Sequence, residues 1–413
     1  MLSLFNTLTR RVESFKPIDD KKVKMYTCGP STYQPPHLGN YRTFLFEDVL
    51  QQYLEYSGYE VTRLMTLTDV EDKALAQAKK ENVSVEELTR RNENVLFRDF
   101  DFLKIKAPNY TVKASSVVDQ SAKMISTLVK KDYAYWHKHG EAMNAYFDPL
   151  KFAGFGKLAR LDMSEWPKKK RRFHKDTYPG TPWNRGDFIL WHGCREGDLC
   201  WESEIGKGRP AWNIQDAAMV TEHLGFMIDV AAGGVDNLVR HHDYTVAVVE
   251  GVSGEKFASY WLHGAHLLVD GKKMSKSKGN VIYPEDLATK GHTGAQTRFF
   301  LIYRHYRRKL NFTYEKLDAA SGRLNDFKNM VQDLRKAESP SPNEKATKLV
   351  GAIAPSFEDA MNNDLNVKGA FDCLFDIVSK LNSLNEKGQL SAQDAKLALE
   401  ELERVDCVLK IVF

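Results

Sequence analysis

Long apolar runs are missing from this chain of 413 residues. No stretch of 18 or more apolar residues occurs, so no membrane-spanning helix is expected. Cysteine is scarce: five residues, an odd number at wide spacing. A disulfide framework is therefore not expected, and a reducing cytoplasm is the favoured compartment. The N-terminal MLSLFNTLTRRVESF places its short apolar stretch ahead of two arginines, without the charged-then-apolar order of a signal peptide. Neither sign of charge dominates. With 59 Lys+Arg against 55 Asp+Glu the net charge is +4, an excess that permits a polyanionic partner without demanding one. No internal repeat is found, which removes the solenoid architectures.

What is present is ordinary globular composition, 42% hydrophobic, over a length that suits two or three domains at about 150 residues each. Val23 to Cys28 (VKMYTC) reads as a short buried strand, followed by a Gly- and Pro-containing loop from Gly29 to Gly39. Apolar residues then recur at helical spacing from about Tyr41 to Tyr56, with Gly58 placed to end the helix, and Glu60 to Leu67 reads as a second strand. Strand, helix and strand in this order form a βαβ unit, the opening of a doubly wound nucleotide-binding fold. Residues from about 75 to 135 read as mostly helical. Residues 140 to 215 read as irregular, Trp- and Gly-rich, and carry the basic run Lys168 to Arg172. A strand is expected over His266 to Val269, and helices from Pro284 onward, with a linker-like break at Glu338 to Glu344 (ESPSPNE).

Two short motifs carry chemistry. PPHLGN, Pro35 to Asn40, stands between the first strand and its helix. A helix N-terminus offers N–H groups and a positive dipole end to phosphate, His37 and Asn40 add side-chain donors, and Gly39 allows close approach. KMSKS, Lys273 to Ser277, lies on a glycine-flanked loop whose Lys273, Ser275, Lys276 and Ser277 can hold a triphosphate and meet its developing charge. An ordinary βα turn and a solvated basic loop are the bland alternatives for each motif taken alone.

Together, HLGN early in a βα unit and KMSKS far downstream resemble the HIGH and KMSKS signatures of class I aminoacyl-tRNA synthetases. The resemblance narrows to cysteinyl-tRNA synthetases through MYTCGPSTYQPPHLGNYRTFLFEDVL, TLTDVEDK, GRPAWNIQDAAM, DVAAGGVDNLVRHHDYT and MNNDLNVKGAF, and runs from about residue 20 to the C-terminus. It implies an α/β fold: a Rossmann-like HIGH/KMSKS catalytic domain over residues 1–290, with an inserted connective region at about 75–205, followed by an α-helical bundle domain over 291–413. It also implies roles. His37 and Asn40 would contact ATP phosphates, Lys273 and Lys276 would stabilise the pentacoordinate phosphorus, and Gly233, Gly234 and Asp236 would hold the adenosine end. Trp212 and Thr68 would line the amino-acid pocket.

The sequence departs from the family pattern in that pocket. The family binds its substrate thiolate on a zinc ion held by two cysteines, a histidine and a glutamate. Cys28 and His241 stand in two of these places, whereas Asp216 and Thr245 replace the second cysteine and the glutamate, and Asn213 and Ala231 replace two further histidines. Cys28, Asp216 and His241 remain as a candidate metal set with a hard oxygen in place of a thiolate, and zinc is expected to be absent. Asp216 is instead expected to face the pocket and contact a polar or cationic group of a substrate other than cysteine. No counterpart of the family's anticodon-binding module is expected after the helical domain, a layout that resembles the mycothiol-pathway cysteine ligase. These features point to an ATP- and Mg2+-dependent, cytoplasmic ligase that forms an aminoacyl-adenylate and passes an amino acid other than cysteine to a small-molecule, non-tRNA acceptor. The alternatives are a divergent enzyme that charges tRNA and a non-catalytic nucleotide-binding paralogue.

Overall fold

The computed structural model describes residues 1–165, 186–195, 197–274 and 279–413. A hairpin of β1 (Ser3–Asn6) and β2 (Arg11–Ser14) precedes the first βαβ unit, β3 (Lys22–Thr27), α1 (Leu38–Tyr56) and β4 (Glu60–Leu67). Helices α2 (Asp72–Glu81) and α3 (Val85–Phe102) lead to β5 (Tyr110–Lys113) and α4 (Val118–Lys130). The short strand β5 interrupts the stretch read as helical. It pairs with β4 and forms one edge of the sheet.

The region read as irregular is also structured. Its β6 (Ala134–His139), β7 (Ala142–Phe147), β8 (Phe188–Gly193) and β9 (Gly208–Pro210) form an antiparallel sheet, with a register shift between Ala145 and Tyr146. Long excursions between these strands hide their period-2 pattern from a local window. Cys194 and Cys200 form a disulfide in the loop after β8; with six residues of separation it is a local clip and not a framework. The basic run Lys168 to Arg172 lies outside the described residues.

The chain then re-enters the main sheet through α5 (Trp212–Leu224), β10 (Ile228–Gly234), α6 (Asp243–Ser253) and β11 (Ala258–Gly264). The central sheet has the order β11-β10-β3-β4-β5, with every pairing parallel. Alternation sorts its side chains: Met25, Val230 and Ala232 pack on the α1 face, while Tyr26, Leu64 and Ala231 pack on the α5/α6 face. Burial on both faces explains why IDVAAGG of β10 reads as a nearly unbroken small, apolar run.

Beyond it come β12 (Leu267–Val269), β13 (Lys272–Lys273), α7 (Pro284–Thr289), α8 (Gly294–Tyr303), β14 (Leu310–Phe312), α9 (Tyr314–Leu334), α10 (Glu344–Gly351), α11 (Ile353–Asn362), α12 (Val367–Glu386) and α13 (Ala392–Leu409). Strand β14, which pairs with β12, is an exception to the helical reading. These helices share one hydrophobic core with α1. A fully buried ion pair, Arg298 Nη2 to Asp48 Oδ2 at 2.6 Å, bolts α8 to α1, and Arg298 also donates to the carbonyls of Leu103, Lys104 and Leu409. Among the described residues no helix is long and apolar enough to cross a membrane.

Candidate active site

The order of the central sheet reverses between β3 and β10: from β3 the chain proceeds outward through β4 and β5, then returns to the other side of β3. Such a switch point leaves a crevice outside the carboxyl ends of the strands, where open α/β sheets bind ligands. A cleft of about 310 Å³ opens there, and Cys28, Thr68, Gly234 and Gly264, at the ends of four strands, all line it.

One end is built by the start of α1. His37 is the N-cap: its Nδ1 accepts from Gly39 N (3.1 Å), and Asn40 Oδ1 accepts in return from His37 N (3.0 Å). This reciprocal pair fixes the first turn and sets the His37 tautomer, because an accepting Nδ1 leaves the ring proton on Nε2. The backbone N–H groups expected to meet phosphate are engaged otherwise. Gly39 N serves His37, and Leu38 N donates to Ile282 O at 2.8 Å. The first turn therefore offers side chains to an anion more than bare amides. Lys273 reaches the same cleft from β13, which turns back from β12 through Asp270 (φ 49°) and Gly271 (φ +73°), a two-residue hairpin that suits Asp-Gly. Ser275, Lys276 and Ser277 lie outside the described residues.

The other end lies between Cys28, Thr68, Trp212 and His241, which line the same cleft. Trp212 stacks on the His241 ring with centroids 4.6 Å apart. Beneath them is a closed polar cluster. Asp216, 2% exposed, accepts from the Tyr26 hydroxyl and is 2.6 Å from His241 Nε2. Burial pushes the Asp216 carboxyl up, but the charge and hydrogen bond of His241 and the hydrogen bonds of Tyr26 and Thr66 outweigh it and hold it below the usual range. Burial, then the negative charges of Asp216 and Glu47, push the Cys28 thiol well up. Its sulfur accepts from Asn237 Nδ2 at 3.2 Å. Cys28 is thus held as a thiol, a pocket wall rather than a nucleophile.

Three expected positions do not face the cleft. Asp216 lies behind His241 rather than in the pocket. The Thr245 hydroxyl bonds back to His241 O at 3.1 Å, as a helical threonine does one turn on. Gly233 serves packing: a Cβ there would come within 2.6 Å of His242 Cε1. Asp236 does line the cleft, as do Thr43, Glu71, Lys73, Asn237 and His266, which sequence reasoning missed. Thr43 lies three residues after Asn40 in the same helix, and Asn237 follows Asp236, so proximity to recognised motif residues was the available signal.

The candidate metal set of Cys28, Asp216 and His241 fails a geometric test. Two ligand atoms each about 2.0–2.1 Å from a tetrahedral zinc lie about 3.3 Å apart, whereas Asp216 Oδ2 and His241 Nε2 are 2.6 Å apart and bonded to each other. The set that does bring donor atoms within 4.8 Å of one another is Cys28, His241 and His242; His242 Nδ1 is engaged with His263 Nε2 at 2.8 Å, its Nε2 has no hydrogen-bond partner among the described residues, and the set supplies three ligands where the family pattern has four. The residues present do not fit the family's four-ligand zinc.

Known proteins agree with this architecture. Residues 14–322 match the family model "tRNA synthetases class I (C) catalytic domain", and residues 356–413 match "DALR domain". The cysteine–tRNA ligase of Chlamydia pneumoniae is 39% identical over 416 residues, covering 100% of this chain and 86% of that protein. That of Brachyspira hyodysenteriae is 38% identical over 98% of this chain and 85% of its own length. Among solved structures, Mycobacterium tuberculosis methionyl-tRNA synthetase with methionyl-adenylate superposes with a TM-score of 0.68 at 15% identity, covering 94% of this chain and 90% of that one. Agrobacterium radiobacter K84 LeuRS, in a ternary complex with tRNA, superposes with a TM-score of 0.68 at 12% identity, covering 96% and 85%. At such identities these structures speak to fold, whereas the sequence matches, spanning the whole chain, establish kinship: the chain belongs to the class I aminoacyl-tRNA synthetases, ATP-using ligases, in the family of the cysteine–tRNA ligases.

Proposed function

We propose that the chain activates an amino acid other than cysteine as its adenylate. The observation that carries this is the hydrogen bond between Asp216 and His241, which occupies the place of two zinc ligands while the phosphate end keeps His37, Asn40 and Lys273 around one cleft. ATP, with the Mg2+ it brings, would lie with its triphosphate between the start of α1 and β13. Gly234 and Asp236 would hold the adenosine end. A carboxylate oxygen of the amino acid attacks the α-phosphorus, a new P–O bond forms, and the bond to the bridging oxygen breaks as pyrophosphate leaves with its electron pair. Positioning and neutralisation of charge supply most of the acceleration in such transfers. His37 Nε2–H and Lys273 are the donors for the charge that grows on the phosphoryl oxygens, joined by Lys276 from the KMSKS motif.

For the acceptor, no feature of the cleft favours a small molecule over tRNA, and the full-length likeness to proteins named cysteine–tRNA ligases supports tRNA. We therefore propose tRNA as acceptor, in place of the small molecule expected from the sequence, and the cytoplasm as the compartment where it acts. Pyrophosphate–ATP exchange across the standard amino acids, followed by charging of total tRNA with the amino acid found, tests both steps. Exchange with a non-cysteine amino acid and an acid-precipitable aminoacyl-tRNA are expected. Exchange with cysteine alone contradicts the first step, and adenylate formation without charging contradicts the second.

A further inference from the structure

The two phosphate-handling motifs stand on separate elements. His37 and Asn40 belong to the start of α1, whereas Lys273 hangs on the hairpin of β12 and β13. Strand β14 carries that hairpin. Leu267, Leu268 and Val269 pair with Leu310, Asn311 and Phe312, Asp270 N donates to Phe312 O (3.2 Å), and at the turn itself Gly271 N donates to Asn311 Oδ1 (2.6 Å). The chain reaches β14 from α8 through the loop of residues 304–309, and this loop is gripped from α1. Arg42, close behind Asn40 on the same helix and 4% exposed, donates from Nη1 to Leu301 O in the last turn of α8. From Nη2 it donates to Arg304 O (3.3 Å), His305 O (3.1 Å) and Arg308 O (2.9 Å). All four acceptors are backbone carbonyls of one segment. Carbonyls at a helix end and in a buried loop lack ladder partners and need donors, and a guanidinium supplies several in a fixed fork. Tyr306 adds a second tie: its ring stacks on Phe46 of α1 at 5.0 Å, and its carbonyl accepts from Ala265 N (2.8 Å), just ahead of β12.

We infer that Arg42 is a positioning residue for adenylation: by gripping the loop ahead of β14 it fixes where Lys273 stands relative to His37 and Asn40. This rests on the activation proposed above and assigns a further residue to the same site. Arg42 touches no substrate; its guanidinium is buried against the loop. The route from α1 to Lys273 runs through one guanidinium, four carbonyls and two strand pairings. Each link is hydrogen-bonded, so a shift of the loop is passed to the hairpin. Donors from α1 and from β13 must meet the same triphosphate, and a misplacement of about 1 Å costs ~10²-fold in such an arrangement. The role belongs to arginine rather than to positive charge as such. A lysine ammonium is a compact donor on a flexible stem and cannot span carbonyls from Leu301 to Arg308.

The test is a double-mutant cycle in pyrophosphate–ATP exchange by the full chain, with the amino acid that supports exchange, combining Arg42→Lys with Lys273→Ala. In the otherwise wild-type chain Arg42→Lys should lower kcat by ~10–10²-fold, with the preferred amino acid unchanged. In the Lys273→Ala chain, where that lysine is no longer there to be misplaced, the factor should be at least ~3-fold smaller, beyond the scatter of independent sites. A merely structural Arg42 would act through the folded fraction and give the same factor in both backgrounds, which overturns the inference. A kcat for Arg42→Lys within ~3-fold of wild type overturns it too. Should Arg42→Lys not fold, Asn311→Ala frees the Gly271 turn from β14 and supplies the same comparison. The inference requires a smaller factor for Asn311→Ala in the Lys273→Ala chain than in wild type, and equal factors overturn it. Equal factors in a chain that exchanges leave amino-acid activation standing. Absence of exchange with every amino acid, in a wild-type chain that still binds ATP, overturns the activation reading and this inference with it.

Discussion

The two ends of one cleft have opposite characters. At the phosphate end, His37, Asn40 and Lys273 converge on shared open space, and the reciprocal cap fixes His37 and Asn40: an accepting Nδ1 leaves the His37 ring proton on Nε2. At the amino-acid end, Tyr26, Asp216 and His241 are bonded to one another, and only the outer surface of the cluster, Cys28, Trp212 and His241, meets the cleft. Donors aimed outward suit an arriving anion. Donors and acceptors closed on themselves suit a wall of fixed polarity. On the proposed reading, specificity is rewritten in the layer beneath the pocket while the reaction machinery stays as it was.

The largest effect expected is on the scaffold beneath both ends. Arg298→Leu leaves Asp48 buried without its charge partner and should cost about 3–5 kcal/mol, read as a lowered midpoint in urea denaturation. If both ends lose activity only in proportion to the unfolded fraction, the scaffold serves them equally. Next, His37→Ala or Lys273→Ala should lower exchange by ~10²–10³-fold in kcat, the usual cost of one transition-state donor, without changing which amino acid is preferred. A change of preference would mean that the two ends are not separable. Third, Asp216→Ala strands the Tyr26 hydroxyl and His241 Nε2–H in a buried site, a loss of about 1–3 kcal/mol measurable by the same denaturation, with ATP affinity kept by calorimetry.

A separate effect, on the pH dependence of stability, concerns Glu47 in α1. Among the described residues neither of its carboxylate oxygens has a hydrogen-bond partner, and burial pushes it up to about 8, with Arg63 opposing. An unfolded glutamate titrates near 4.3. Between these values the native state holds a proton that the unfolded chain has released, so wild-type stability falls as pH rises from about 4 to about 8. Glu47→Gln removes that loss, and the difference in melting temperature between variant and wild type should move in favour of the variant from pH 5 to pH 8. A constant difference would show that Glu47 ionises freely, with Arg63 as its partner.

Much of this was legible in the sequence because it is local. The βαβ opening, the helix after HLGN and the strand Glu60 to Leu67 follow from periodicity and punctuation within windows of about twenty residues, and α1 starts earlier than its apolar pattern only because His37 caps it. What stayed hidden is non-local. Strand β5 has four residues and is a strand because β4 lies beside it. The antiparallel sheet of β6 to β9 is assembled across an excursion of 40 residues between β7 and β8. The site shows the same division. Cys28, Trp212 and His241 were recognisable as pocket residues from their motifs. That Asp216 would turn away from the cleft to orient His241 depends on Tyr26, almost two hundred residues distant in sequence, which no motif pairs with it.

The central claim, that the phosphate end works while the amino-acid end has left zinc and thiol chemistry, is tested most directly by pyrophosphate–ATP exchange over all standard amino acids with and without a zinc chelator. Exchange driven by an amino acid other than cysteine, at a rate indifferent to the chelator, is the predicted result. Exchange driven by cysteine and abolished by the chelator would contradict it, since a metal would then sit where Asp216 and His241 are bonded to each other.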